Sequence, residues 1–284
     1  MSHDPRYAED LPRLAAEAYE LSGRLCGTCR DMHALWTYIR LSRASTGVEA
    51  QASKLEAQLT ALFAGGRRHV LIAGSQDTGV LALVARAGAG HEMNITVLDI
   101  CETPLELCRA FAKQWSLPIE TVRQDLLDLD IQQRFDIVLV HGTLQYISAD
   151  RRADVLARMQ RAIRPGGRLV LLFNTSRSVA CEVAQESRAG YGDWVIDELT
   201  RLDVALPDTD AVVRERLNAH ARRRELREGA FAEPGEVEAL LSAAGFDIDH
   251  CTRLDVALAG PVDNFISKIS KRRFMAIAER KSAP

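Results

Sequence analysis

One pattern constrains this chain more than any other: a glycine-bearing loop between a strand and a helix, followed by a second strand that ends in an acid. The apolar run that starts at Val70 predicts a short buried strand, Gly74 ends it, and Gly79 lies just inside the next helix. Glycine lets a ligand approach the backbone, and a helix N-terminus offers free N–H groups to an anion. The apolar run at 95–98 predicts a second strand, and its terminal Asp99 suits a ribose diol. The pattern predicts a site for a nucleoside-containing cofactor.

Strand and helix patterns alternate after residue 66. We predict strands at 69–73, 94–98, 119–123, 135–140 and 168–173, helices at 77–88, 103–114, 150–163 and 234–243, and two last strands near 245–248 and 273–278. Alternation of this kind is typical of an α/β fold with a mostly parallel sheet and helices on both faces.

Helical segments flank and interrupt this core. The spacing of apolar residues predicts an N-terminal helical cap at 1–66. We expect residues 67–284 to form the core, with a helical insertion at 177–230. The second helix of the insertion is strongly charged. We interpret it as a solvated helix face, with a lid over the ligand edge of the sheet as the alternative.

Composition argues against several kinds of partner. The chain has 284 residues, 47% of them hydrophobic, and a net charge of −3, which gives no electrostatic case for nucleic acid or a membrane surface. It has no apolar run of the roughly 20 residues that a membrane helix needs, and its N-terminus does not resemble a signal peptide. We therefore expect a cytoplasmic protein with reduced thiols that acts on a small molecule; homodimer formation is left open.

Five pieces in order complete the pattern: the loop at 74–79, Asp99, Asp125 after the third strand, the run 135–141, and the turn at 164–167. Together they resemble the class I S-adenosylmethionine-dependent methyltransferases of the small-molecule type, over about residues 67–284. The resemblance implies a Rossmann-like, seven-stranded sheet whose last strand is inserted antiparallel, with S-adenosyl-L-methionine as cofactor.

The resemblance also assigns cofactor contacts. It places Gly74, Ser75 and Gly79 at the methionine end, Asp99 at the ribose, Asp125 and Leu126 at the adenine, and His141 beside the sulfonium. Gln76 and Ile100 are further candidate cofactor contacts. Two departures from the family affect the methionine end: Ile72 stands where an acid is usual, and the loop lacks a middle glycine and is one residue longer. Ser75, Gln76 or Asp77 are therefore candidates to hold that end differently.

Other candidates lie where the acceptor would enter. His141 follows a buried strand and is the leading base candidate, with packing beside the cofactor as the alternative. Gln145 and Tyr146 are predicted to orient the acceptor. Asn174 leaves the fifth strand at the same edge, where turn formation or helix capping is its alternative role.

Residues 26–40 are the candidate cap over the site. Trp36 or Tyr38 is predicted to face the sulfonium through cation–π attraction, with Tyr38 as a catalytic candidate, and Arg40 to pair with a carboxylate of the cofactor or substrate. The alternative for both aromatic residues is packing of the cap onto the core.

The spacing Cys26-x-x-Cys29-x-x-x-His33 raises the question of zinc. Structural zinc takes four ligands, and the sequence shows no second matching pair, so we expect no metal. Cys101 and Cys108 are seven residues apart on one predicted helix and are expected to be small core residues.

Three functions remain. The leading one is methyl transfer to a small molecule, in specialised metabolism. The second keeps the cofactor but cyclises its methionine chain, because the altered loop could hold that chain folded; this would release methylthioadenosine and form azetidine-2-carboxylate, and the helical cap on such a core is similar to azetidine-forming cyclases. The third is an inactive, cofactor-binding partner subunit.

Overall fold

Seven strands form one sheet in the described part of the chain. The computed structural model describes residues 6–44, 47–175, 190–225, 231–254 and 272–281. The strands are β1 (His69–Ala73), β2 (Asn94–Asp99), β3 (Ile119–Arg123), β4 (Phe135–His141), β5 (Ile163–Thr175), β6 (Phe246–Leu254) and β7 (Arg272–Arg280). Their order is β3-β2-β1-β4-β5-β7-β6, and β7 is antiparallel to both of its neighbours. The Rossmann-like sheet with an antiparallel inserted last strand is thus confirmed.

The helices of the described ranges surround this sheet. They are α1 (Leu11–Leu25), α2 (Arg30–Leu41), α3 (Ala52–Ala64), α4 (Gly79–Ala87), α5 (Glu102–Gln114), α6 (Arg152–Ala162), α7 (Tyr191–Arg201), α8 (Asp210–Glu225) and α9 (Pro234–Ala243). Short 3-10 helices lie at Val48–Gln51, Leu126–Asp128, Thr143–Tyr146 and Ala149–Arg151. None of the helices in these ranges is both long enough and apolar enough to cross a membrane.

Each face of the sheet has its own apolar core. Successive side chains of a strand point to opposite faces. Val70 and Ile72 of β1 therefore pack with α3, α4 and α5, while Leu71 and Ala73 pack with α6 and α9. Burial on both faces is the reason that β1 and β4 are continuous apolar runs.

Strand β5 starts earlier than predicted. The sequence predicts a sharp turn at 164–167 and a strand from 168, whereas β5 begins at Ile163 and contains those residues. Phe135 pairs with Ile163 but Ile137 pairs with Arg168, so the residues between form a bulge. Gly166 has a φ of +75° there, a conformation that glycine tolerates and that bulges use.

The cap is built from two distant parts of the chain. Helices α1 and α2 pack against α7 and α8 in one apolar cluster, which includes Leu35, Tyr38, Tyr191 and Leu217. Helix α3, by contrast, packs on α4 in the core of the sheet. The residues of the predicted insertion at 177–189 and 226–230 lie outside the described residues.

Candidate active site

The candidate site lies at the carboxyl ends of β2, β1 and β4, which are neighbours in the sheet. Asp99 ends β2, Ala73 ends β1, and His141 ends β4. The direction of the strand order reverses between β1 and β4, and open α/β sheets bind ligands at such a point. The topology therefore brings the glycine loop, the acid and the histidine to one edge, as the sequence predicts.

Asp99 is fixed by two backbone amides. The Ser75 N–H donates to its Oδ2 at 2.8 Å, and the Cys101 N–H donates to its Oδ1 at 2.7 Å. Burial raises the pKa of this carboxyl, and the two amide hydrogen bonds partly oppose the shift. Each carboxylate oxygen has about two lone-pair sites, so Asp99 keeps acceptor capacity for a ribose diol.

Both loop glycines make room for side chains of the protein itself. Gly74 has a φ of +84°, and a Cβ on it would lie 2.4 Å from the Thr143 Oγ1, which donates to the Ala73 carbonyl at 3.0 Å. A Cβ on Gly79 would lie 3.0 Å from the Arg40 Nη1. Thr143 and Arg40 occupy the space that a Cβ on these glycines would need. The contact of Gly74 and Gly79 with the cofactor stays a prediction.

Arg40 has carboxylate partners within the chain. Its Nη1 lies 2.5 Å from the Asp77 Oδ2 and its Nη2 lies 2.9 Å from the Glu9 Oε2, and it also pairs with Glu49. Burial opposes its charge, but these carboxylates raise its pKa well above its usual value. The Arg40 side chain is 1% exposed and holds the cap to the loop after β1. Its pairing with a cofactor or substrate carboxylate stays a prediction.

The residues predicted to contact the adenine lie after β3, next to the end of β2. The Asp125 Oδ1 accepts a hydrogen bond from the Leu127 N–H at 2.9 Å and caps the 3-10 helix after β3. Leu126 is buried, whereas the side chain of Ile100 is 63% exposed next to Asp99. An exposed isoleucine beside a fixed acid offers an apolar surface for a flat base.

His141 has an enclosed nitrogen. Its Nε2 is buried and has no hydrogen-bond partner among the described residues. Burial, with the positive charge of Arg273, lowers the pKa of His141 to about 3. The ring is thus neutral at physiological pH.

A chain of polar side chains lies beside His141. The Arg273 Nε donates to the Asn174 Oδ1 at 2.9 Å, and the Asn174 Nδ2 donates to the Gln145 Oε1 at 3.2 Å. Gln145 and Asn174 are thus brought together. Sequence reasoning missed Arg273, which pairs with Asn174 in register across β5 and β7; the antiparallel strand was expected, but its register was not.

Gln76 lies between Tyr146 and the cap helix α2, where it contacts Met32. The Gln76 Nε2 donates to the Tyr146 hydroxyl at 2.9 Å. Tyr38 is buried in the cap cluster, where burial raises its pKa to about 12, and Trp36 is partly buried. Tyr38 packs among the helices of the cap. The roles of Trp36 and Tyr38 toward a sulfonium stay predictions.

Cys101 lies against the cysteines of the cap. The Cys101 Sγ is 3.4 Å from the Cys26 Sγ and 3.6 Å from the Cys29 Sγ, so Cys101 is more than the apolar core residue expected, whereas Cys108 is fully buried in the core. The contact with Cys26 lowers the pKa of Cys101 to about 3, against the effect of burial. Burial opposes a charge on His33, but contacts with Cys101 and Cys29 raise its pKa to about 9. Spacing in sequence could not reveal this contact, because Cys101 follows another strand.

Comparisons with known proteins agree with this architecture. A family model described as a methyltransferase domain matches residues 70–167. Among solved structures, an O-methyltransferase family protein from Burkholderia thailandensis has a TM-score of 0.53 at 14% identity, covering 89% of this chain and 61% of that one. The 1,6-didemethyltoxoflavin-N1-methyltransferase of the same organism, solved with 1,6-didemethyltoxoflavin and S-adenosylhomocysteine, has a TM-score of 0.52 at 19% identity, covering 97% and 92%. At these identities the likeness shows the fold alone.

The curated proteins that match this chain in sequence are named carboxy-S-adenosyl-L-methionine synthases. The carboxy-S-adenosyl-L-methionine synthase of Ectopseudomonas mendocina is 32% identical over 178 residues, covering 58% of this chain and 66% of that protein. That of Pseudomonas aeruginosa is 34% identical over 113 residues, covering 36% and 46%. The chain thus spans less than two thirds of these relatives. The family match over residues 70–167 and the seven-stranded sheet both agree with the resemblance to the class I, S-adenosylmethionine-dependent methyltransferases.

Proposed function

We propose that this protein binds S-adenosyl-L-methionine and transfers its methyl group to a small molecule. The observation that carries the proposal is Asp99, which two backbone amides hold at 2.7 and 2.8 Å at the end of β2. A carboxylate fixed in this way needs no rearrangement to accept hydrogen bonds from two ribose hydroxyls, which favours binding. The Gly74–Thr78 loop would hold the methionine end, with Ser75 and Gln76 as its polar residues.

The other end of the cofactor would lie against Ile100, Asp125 and Leu126. The exposed face of Ile100 would pack on the adenine ring, and Asp125 has a second carboxylate oxygen to accept from an amino group. Burial of the ring against Ile100 would remove apolar area from water on both partners.

Bound S-adenosylmethionine supplies an electrophilic methyl group on a positive sulfonium. The residues of the chain would align the acceptor. His141 is the candidate base because its neutral Nε2 is enclosed, but burial and the charge of Arg273 lower its pKa and make it a weak proton acceptor. The Arg273–Asn174–Gln145 chain and the Tyr146 hydroxyl would orient a polar acceptor. The cap of α1, α2, α7 and α8 would exclude water, which suits a small acceptor rather than a polymer.

Calorimetry on the purified protein tests cofactor binding directly. We expect S-adenosylmethionine and S-adenosylhomocysteine to bind, and Asp99→Ala to weaken both strongly. Incubation with extracts of small metabolites should then yield S-adenosylhomocysteine and a product heavier by one methyl group, detected by mass spectrometry. Absence of binding by the folded wild-type protein would overturn the proposal.

A second candidate is cyclisation of the cofactor itself. Two observations favour it: Ile72 stands where the family has an acid, and Asp77 is bound by Arg40, so neither supplies a carboxylate to the methionine amine. A neutral amine could then attack its own Cγ. The new N–Cγ bond would form as the Cγ–S bond breaks, sulfur would keep the electron pair, and the positive charge would pass from sulfur to the ring nitrogen, which stays protonated as an ammonium. The products are azetidine-2-carboxylate and methylthioadenosine. The curated relatives, named as carboxy-S-adenosyl-L-methionine synthases, also alter the cofactor itself.

One incubation separates the candidates. Protein and S-adenosylmethionine are mixed without an acceptor, and the nucleosides are separated by chromatography. Methylthioadenosine, in amounts that depend on the protein, supports cyclisation. S-adenosylhomocysteine that forms only after an acceptor is added supports methyl transfer. Tight binding with no turnover under either condition would instead favour an inactive partner subunit.

A further inference from the structure

Three thiols and one imidazole meet between the cap and the sheet. Cys26 ends α1, Cys29 precedes α2, His33 lies in the first turn of α2, and Cys101 follows β2. One ligand atom from each of these four residues lies within 4.8 Å of all the others. His33 and Cys101 are buried, and Cys26 and Cys29 are partly buried. Three separate elements thus contribute to one compact cluster.

We propose that Cys26, Cys29, His33 and Cys101 form a tetrahedral Cys3His site for a thiophilic divalent cation, Zn²⁺ by its ligand chemistry. Zinc–sulfur bonds of about 2.3 Å give sulfur–sulfur edges of about 3.8 Å in a regular tetrahedron. The Cys26 Sγ lies 3.4 Å from the Cys101 Sγ and 3.3 Å from the His33 Nδ1, and the Cys29 Sγ lies 3.6 Å from the Cys101 Sγ. Small outward shifts would open these edges around an ion. Thiolate and imidazole ligands exclude magnesium and calcium, which prefer oxygen.

The local chain explains why these residues converge. The turn between α1 and α2 carries the Cys-x-x-Cys pair, and a histidine four residues after Cys29 returns to the same side after one helical turn. Cys29 and Cys101 are the residues that precede α2 and α5. A helix N-terminus stabilises negative charge, so it favours the thiolate form that binds metal.

A second ring of contacts supports the cluster. The Thr103 Oγ1 lies 3.0 Å from the Cys26 Sγ, and the Cys101 N–H donates to the Asp99 Oδ1 at 2.7 Å. A metal would therefore fix the cap to the residue that also positions the ribose-binding acid. This link to Asp99 rests on the proposed cofactor site; the metal site itself does not.

Metal content of the full-length protein is the direct test. Protein purified under reducing conditions should contain one Zn²⁺ per chain by elemental mass spectrometry. After chelation, added Co²⁺ should give the absorption bands of a tetrahedral, thiolate-rich site. Cys101→Ser should lose most of the metal, whereas Cys251→Ser, which changes a cysteine on β6, should keep it. Folded wild-type protein that holds no zinc and takes up no Co²⁺ would overturn the proposal.

Two further measurements separate loss of the metal from loss of the fold. The Cys101→His variant still has a metal ligand at this position. It should therefore bind metal, whereas the Cys101→Ser variant should not. In the wild-type protein, zinc should protect Cys26 and Cys29 from alkylation, and a chelator should remove that protection; equal alkylation in both states would contradict the site. Cofactor affinity measured with and without zinc then tests the link to Asp99. A protein that binds zinc but not S-adenosylmethionine would overturn the proposed function and leave the metal site standing.

Discussion

Arg40 on α2 and Asp77 in the loop after β1 form a buried ion pair, with 2.5 Å between the Nη1 and Oδ2 atoms. Their side chains are 1% and 6% exposed. The pair joins the cap to the loop after β1. Gly79 has no side chain and so leaves the space that the guanidinium of Arg40 needs. The glycine at the start of α4 is thus explained by an arginine that is distant in sequence.

Loss of the Arg40 charge should destabilise the protein strongly. Arg40→Met keeps much of the side-chain volume but leaves the buried carboxylates of Asp77 and Glu9 uncompensated. Removal of one partner of a buried ion pair costs about 3–5 kcal/mol. We expect a loss of that order in the free energy of unfolding, measured with urea. Arg201→Met is the control, because Arg201 is exposed and pairs with Glu198 one turn away on its own helix; it should not shift the midpoint. Equal effects of the two changes would contradict the role of the pair.

Asp99→Asn should weaken cofactor binding more than it weakens the fold. The amide oxygen can still accept from one of the two backbone N–H groups, whereas the NH2 faces the other and costs some stability. The change also removes the charge that strengthens bonds to the ribose. A hydrogen bond to a charged group is worth about 1.5–3 kcal/mol, which predicts a roughly 10- to 100-fold rise in the Kd for S-adenosylmethionine. Calorimetry measures it. Asp130→Asn, at an exposed position, should leave the Kd unchanged. An unchanged Kd for Asp99→Asn would remove Asp99 from the site.

His141 should make stability fall with acid. Its pKa is lowered to about 3 in the folded chain, against 6.5 as the ordinary value. The unfolded chain therefore binds the proton first, and stability present above about pH 6.5 is lost as the pH falls toward the folded pKa. Relative to His141→Asn, the wild-type protein should lose up to roughly 2 kcal/mol between about pH 6.5 and pH 5. Urea unfolding at several pH values measures this difference in the free energy of unfolding. The other histidines contribute equally in both proteins, so their contributions cancel. A difference that stays constant with pH would place His141 in a solvated environment.

Periodicity was enough to predict most of the fold. Apolar runs bounded by Gly74 and Asp99 predict β1 and β2, because strands buried on both faces must be continuously apolar. The start of β5 was predicted wrongly, because a Pro-Gly-Gly run favours a turn and the bulge that absorbs it depends on pairing with β4. Local sequence does not encode that pairing.

The candidate site was predictable only in part. Residues that directly follow a strand, such as Asp99 and His141, are placed by topology alone. Arg40, Thr143 and Cys101 depend on which helix packs on which loop, and that is a property of tertiary contacts. The sequence therefore located the edge of the sheet but assigned Arg40 to a ligand and Cys101 to the apolar core.

Gly74→Ala should be destabilising for two separable reasons. The alanine would have to adopt a φ of +84°, and its Cβ would clash with the Thr143 Oγ1 at 2.4 Å. Gly66→Ala isolates the first cost, because Gly66 has a φ of +89° and open space around it; we expect a loss of about 1–2 kcal/mol there. Gly74→Ala should cost more than Gly66→Ala, and adding Thr143→Ala should recover part of the excess. The recovery appears as non-additivity in the free energies of unfolding of the single and double variants. Strict additivity would mean that Thr143 does not fill the space beside Gly74, and the loop would again be open to a ligand at that point.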